Sequence, residues 1–160
     1  STVGPLIDEP AFDKVTRHVS DALDKGATPL LGGEPHALGG TFHQPTVLDG
    51  VAPHSDMWHE ETFGPVAAVR TFTDEREAIT VANDTPFGLA AYMYSRDVGR
   101  VFRVSEQLEF GILGINTGFI SVEVAPFGGV KESGMGREGS KYGIDDWVET
   151  RYLSLGGIEE

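Results

Sequence analysis

The stretch Gly134-Met135-Gly136-Arg137-Glu138-Gly139 has the residue types and spacing of a phosphate-binding turn. G-x-G-x-x-G cradles a dinucleotide pyrophosphate when it follows a strand, opens a helix and has an acid about 20 residues on. Here "PFGGVKES" precedes it, barely one helical turn follows, and the acids at that distance are Glu159 and Glu160 at the chain end. The glycines therefore read as allowing left-handed backbone angles or close backbone approach in a shaped loop. His54, His59, Glu60 and Glu61 form a second candidate, for metal. Histidines five apart suit neither one helix face nor H-E-x-x-H, so no metal site is expected. Arg137 and Lys131 read as structural cations, and Asn116 as a residue that fixes loop backbone. The 160 residues include no cysteine, which removes disulfides, thiolate zinc sites and a cysteine nucleophile from this chain. No Ser-His-Asp arrangement can be argued from one sequence.

The elements that would position these residues alternate in type. Phe12, Val15, Val19, Ala22 and Leu23 recur at helical spacing over residues 8 to 25, with Asp8 near the start and Gly26 just past the end. "TPLLGG" and "PTVLDG" are short extended pieces. "VAAVRTF", 66 to 72, is a nearly continuous apolar strand, as expected when both faces are covered. Asp74 with Glu77 resembles a capping box that opens a helix to about Asn83. A strand over 90 to 95, a helix from Asp97 to about Leu108 and a strand over 111 to 116 follow. Strand, helix, strand, helix, strand predicts an α/β fold, a parallel sheet with helices packed on it. Residues 117 to 143 hold seven glycines and little periodicity, a loop long enough to suggest function. "DWVETRYLSL", 146 to 155, alternates as a strand would.

Composition narrows the partners. Hydrophobic content of 39% and charged content of 23% are ordinary for a globular protein. A net charge of −13 argues against nucleic acid and anionic membrane surfaces. No run of about 18 apolar residues is present, so no transmembrane helix is expected. The N-terminus has no signal-peptide pattern, and a cytoplasmic location is the expectation.

Five motifs in order carry a family resemblance: "EETFGPV" at 60 to 66, "PFGLAAYMYSRD" at 86 to 97, "GILGINTG" at 111 to 118, "APFGGVKESGMGREG" at 125 to 139 and "KYGIDDWVETRYLSL" at 141 to 155. Together, from "GPLIDE" at 4 to 9 onward, they resemble the carboxy-terminal part of an NAD(P)-dependent aldehyde dehydrogenase. "NTGFISVEVAPFGG" resembles the succinate-semialdehyde branch. The resemblance implies residues 1–145 as part of the catalytic domain and residues 146–160 as an oligomerisation strand and tail, giving a homo-oligomer. It implies NAD or NADP as cofactor and a small aldehyde as substrate. In the family a cysteine thiolate attacks the aldehyde, hydride passes to the nicotinamide, and a glutamate activates water. Both side chains precede the segment that matches "GPLIDE", so the resemblance implies no catalytic residue here and a chain inactive alone.

The same resemblance supplies site residues. Glu61 matches the glutamate that hydrogen-bonds the nicotinamide ribose, and a carboxylate suits two neighbouring hydroxyls. Phe63 matches an aromatic beside the nicotinamide; an ordinary core Phe is the other reading. Phe127 matches a residue lining the aldehyde pocket. Ser121, six residues earlier, stands where relatives acting on apolar aldehydes carry an aromatic, and its hydroxyl could donate to a substrate carboxylate. An exposed loop serine is the alternative. Two other functions stay open: a truncated, non-catalytic interaction module that assembles with aldehyde dehydrogenase subunits, and a binding domain with another ligand at the loop.

Overall fold

The computed structural model describes residues 3–157, and the chain forms two compact units, Ser1–Thr73 and Asp74–Glu160. The end of the expected tail, residues 158–160, lies outside the described residues.

In the first unit, helix α1 spans Glu9–Asp24. The Asp8 carboxylate accepts from the Ala11 N–H at 2.9 Å, so an otherwise orphaned donor is satisfied. Pro10 falls in the first turn, where a missing N–H leaves no helical bond unmade. Val15, His18, Val19 and Ala22 make the buried stripe of α1. Val19 and Ala22 join Ala27, Leu48 and Val51 in one core cluster. Full burial of Leu48 contributes about 1.5–3 kcal/mol. Strand β1, Thr28–Leu31, pairs antiparallel with β2, Thr46–Asp49. The chain then passes through a one-turn helix, α2, Asp56–His59, to β3, Val66–Val69, which pairs parallel with β2.

The second unit runs α3 (Glu75–Asn83), β4 (Ala90–Met93), α4 (Val98–Ser105) and β5 (Ile112–Ile115), with β4 and β5 parallel. Asp74 and Asp97 cap the two helices through the Arg76 and Arg100 N–H groups. The Glu75 carboxylate binds both Arg103 and Arg100 of α4, with Nε donors at 2.7 and 2.9 Å. Asn116, at φ +55, uses its side-chain amide to grip both backbone groups of Ser95, joining the ends of β4 and β5. The loop expected over 117–143 contains a 3₁₀ turn, Lys131–Ser133, and a single antiparallel bridge between Phe127 and Glu138.

Three expectations need correction. The strands do not form one parallel sheet: the order is β1-β2-β3 in one and β4-β5 in the other, and the β1–β2 pair is antiparallel. Alternating elements reveal which segments are extended but not which edge each strand joins. β3 is not covered on both faces. It is an edge strand, with Ala67, Ala68 and Val69 exposed. The strand expected over 146–155 does not form. Asp145–Trp147 is a 3₁₀ turn, and residues 148–157 pair with no described strand. Val148 is extended, at φ −129° and ψ 151°, so the backbone leans toward strand geometry without a neighbour to complete a ladder.

Candidate functional site

Residues 60–65 link α2 to β3 and carry two of the expected site residues. The segment starts extended at Glu60, so alternate side chains turn to opposite sides. Glu60 and Thr62 face α1. His18, fully buried, places Nδ1 3.0 Å from the Thr62 hydroxyl and Nε2 3.1 Å from a Glu60 carboxylate oxygen. Arg17 donates to the same Glu60 oxygen at 2.9 Å and also pairs with Asp56. The Arg17 guanidinium, with help from the His18 ring, holds the Glu60 carboxyl below the usual carboxylate range, and Glu60 in turn raises the Arg17 pKa. Asp21 accepts from the Asp56 N–H at 2.7 Å and pairs with Lys25, whose ammonium is the main cause of its lowered pKa.

Glu61 and Phe63 face outward. Glu61 is exposed and hydrogen-bonds to no other described residue. Phe63 is 80% exposed in this chain, with φ at +50. A bulky residue in the left-handed region stays there only when its neighbours hold it. Part of that hold is Gly64, where any Cβ would press into a Val15 methyl, so only glycine brings the backbone this close to α1.

Among the described residues, the metal-ligand atoms that cluster are those of His18, Asp56 and Glu60, all within 4.8 Å, without His54, His59 or Glu61. Arg17 reaches both carboxylates, and Lys25 lies 3.8 Å from Asp56.

In the second unit, Phe127 is half-buried beside an open cleft of about 370 Å³ shared with Leu89, Met135, Arg137 and Trp147. Its backbone N–H and C=O both bond Glu138, at 2.9 and 2.7 Å. Ser121 is exposed, does not line that cleft, and its hydroxyl bonds to no other described residue. The glycine-rich loop binds an anion of its own. The Asp146 carboxylate accepts from the Arg137 N–H at 2.9 Å, and a Cβ at Gly136 would overlap it. Neither a strand before nor a helix after this loop makes it a pyrophosphate turn. Arg137 and Lys131 act as expected: Arg137 donates to the Gly129 and Gly136 carbonyls, and Lys131 to those of Asn83 and Thr85.

The family model for aldehyde dehydrogenases matches residues 1–153. The chain belongs to the aldehyde dehydrogenase family. It is 61% identical over 157 residues to a glutarate-semialdehyde dehydrogenase of Pseudomonas aeruginosa, covering 98% of this chain and 32% of that protein. It is 59% identical over 155 residues to an NADP(+) succinate-semialdehyde dehydrogenase of Escherichia coli, covering 97% and 32%. The crystal structure of a succinate-semialdehyde dehydrogenase from Burkholderia pseudomallei superposes with a TM-score of 0.91 at 62% identity, covering 96% of this chain and 32% of that one. This aldehyde dehydrogenase chain thus spans about a third of the length of the relatives it matches.

Sequence reasoning missed the support for this aldehyde dehydrogenase loop: Arg17, His18, Asp56 and Thr62. One signal was available. His18 falls on the same helical stripe as Val15, Val19 and Ala22, and a polar ring on an apolar face requires hydrogen-bond partners.

Proposed function

We propose that this chain is the later part of the catalytic domain of a semialdehyde dehydrogenase that oxidises succinate semialdehyde, or a similar acid-bearing aldehyde, with NAD or NADP. The observation that carries the reading is the outward pair Glu61 and Phe63, a carboxylate with no hydrogen-bond partner among the described residues and an exposed ring two residues on, both on a braced loop. Their chemistry fits a nicotinamide nucleoside: Glu61 accepts from the two ribose hydroxyls and Phe63 packs against the flat face of the ring. When bound, the nicotinamide supplies the hydride acceptor. Phe127 lines the aldehyde side, and Ser121 donates its hydroxyl to the distal carboxylate.

Residues 146–155, a 3₁₀ turn end and an unpaired run in this structure, are read as the segment that becomes an oligomerisation strand against a partner chain. Trp147 is 84% exposed and Tyr152 86%, and no described strand pairs with this segment, which leaves its backbone groups for a partner chain. The reading places the enzyme in the cytoplasm. Among the described residues no helix is long and apolar enough to cross a membrane.

The test is NAD(P)H formation from succinate semialdehyde. The 160-residue chain has no thiol to attack an aldehyde and is expected to give none. An enzyme that carries this segment behind a segment with a catalytic cysteine is expected to turn over. Failure of the joined enzyme on succinate and glutarate semialdehydes, or turnover by the chain alone after repurification, overturns the reading.

A further inference from the structure

We infer that His18 is a positioning residue for the cofactor: it fixes the loop that presents Glu61 and Phe63, although it faces away from both. The inference rests on the cofactor reading of Glu61 given above.

Among the described residues, the backbone hydrogen bonds of segment 60–65 lie toward its ends, with the Gly64 carbonyl accepting locally from the Val66 N–H at 2.8 Å. The Glu60 N–H returns to the Asp56 carbonyl at 2.8 Å, and the Pro65 carbonyl accepts from the Thr46 N–H at 2.8 Å. Between those points the cross-links to α1 are made by side chains, and one imidazole takes part in two of them. The Glu60 carboxylate can only accept, so Nε2 of His18 carries a proton and donates. In the neutral ring Nδ1 is then an acceptor, and the Thr62 hydroxyl donates to it. The residues on either side of Glu61 are thus tied to one ring that is fully buried and cannot swing. An extended chain held at positions 60 and 62 has position 61 pointing away from the tether.

The other contacts divide the work. Arg17 binds Glu60 from a half-exposed position and also holds Asp56, so it bears mainly on α2. Val15, one turn before His18 on the same face, meets Gly64 just beyond Phe63. Contacts to α1 therefore lie on both sides of the two outward side chains. Loss of the His18 link leaves Thr62 without its buried partner and Glu60 with only the Arg17 contact.

The experiment uses the full-length enzyme and reads cofactor Kd by nucleotide fluorescence, KM and kcat separately, and Tm. His18→Leu keeps volume and removes both hydrogen bonds. Its Kd for the nicotinamide cofactor is expected to rise about tenfold, with KM for the aldehyde near wild type. His18→Gln carries one donor and one acceptor and is expected to restore most of the affinity. Thr62→Val, which lies outside the core, is expected to reproduce a smaller rise of the same kind and remains informative should His18→Leu not fold. In a Glu61→Gln background, His18→Leu is expected to add little, because the group it positions has lost its charge.

Glu61→Gln separates the two levels of the reading. If Glu61→Gln leaves cofactor affinity unchanged, the cofactor assignment itself fails. If Glu61→Gln weakens binding while His18→Leu, or Thr62→Val in its place, lowers Tm alone, His18 is a core residue and the positioning role is overturned. Equal loss in His18→Gln and His18→Leu overturns it as well, because hydrogen bonding would then not be what His18 contributes.

Discussion

Glu60 and Glu61 are neighbours in the chain and differ in every contact. Glu60 accepts from Arg17 at 2.9 Å and from His18 at 3.1 Å, whereas Glu61 hydrogen-bonds to no other described residue. The partnered carboxylate ties the loop to α1, and the other stays exposed.

Replacing Glu61 by Gln in the intact enzyme keeps size and removes the charged acceptor. Losing a hydrogen bond to a charged group costs roughly 1.5–3 kcal/mol, about ten- to a hundredfold in affinity. Cofactor titration checks this, and an unchanged Kd together with an unchanged hydride-transfer rate would remove Glu61 from the site.

Ser121 is an exposed hydroxyl with no partner among the described residues. If it reads the distal carboxylate of the aldehyde, Ser121→Ala should lower kcat/KM for succinate semialdehyde about ten- to a hundredfold and spare an uncharged aldehyde of similar length. An equal loss on both substrates would mean that the residue shapes the loop instead.

Acid should destabilise the chain from a defined direction. Arg17 lowers the Glu60 pKa, Lys25 that of Asp21 and Arg103 that of Glu75. A carboxyl whose folded pKa lies below its unfolded value adds stability above the unfolded value, near pH 4, and loses it as pH falls through the folded value. Urea midpoints should therefore hold from pH 7 to about 5 and fall below about 4. Glu75→Gln should flatten part of that fall; a variant with the wild-type slope would show that the Arg103 pair does not contribute.

The chain purified alone should self-associate. Val98 and Phe102 of α4 are 69% and 66% exposed, Leu153 is 80% exposed, and β3 is an open edge. Apolar patches and open edges drive association. Light scattering with an apolar-surface dye checks this, and a clean monomer without dye binding would count against it.

Several elements were legible in the sequence because local physics decides them. Helix α1 forms where Phe12, Val15, Val19 and Ala22 recur, and it starts at Asp8 because an aspartate there caps the first turn. The same holds for α3 after Asp74 and α4 after Asp97. The strands at 66, 90 and 112 were legible from apolar runs between turn residues. The flanks of the glycine loop, read from the sequence as neither a preceding strand nor a following helix, have that form in the structure. Motif order identified the family.

Tertiary structure alone decided what those elements join. Strand neighbours depend on edges far apart in sequence, so neither the antiparallel β1–β2 pair nor the parallel β2–β3 pair can be read from periodicity. Residues 146–155 alternate as a strand should, but a ladder needs a second strand, and the described residues offer none. Most of all, Glu60 and Glu61 look alike in the sequence. Their roles diverge only because a buried imidazole 42 residues earlier lies within hydrogen-bonding distance of Glu60 and not of its neighbour.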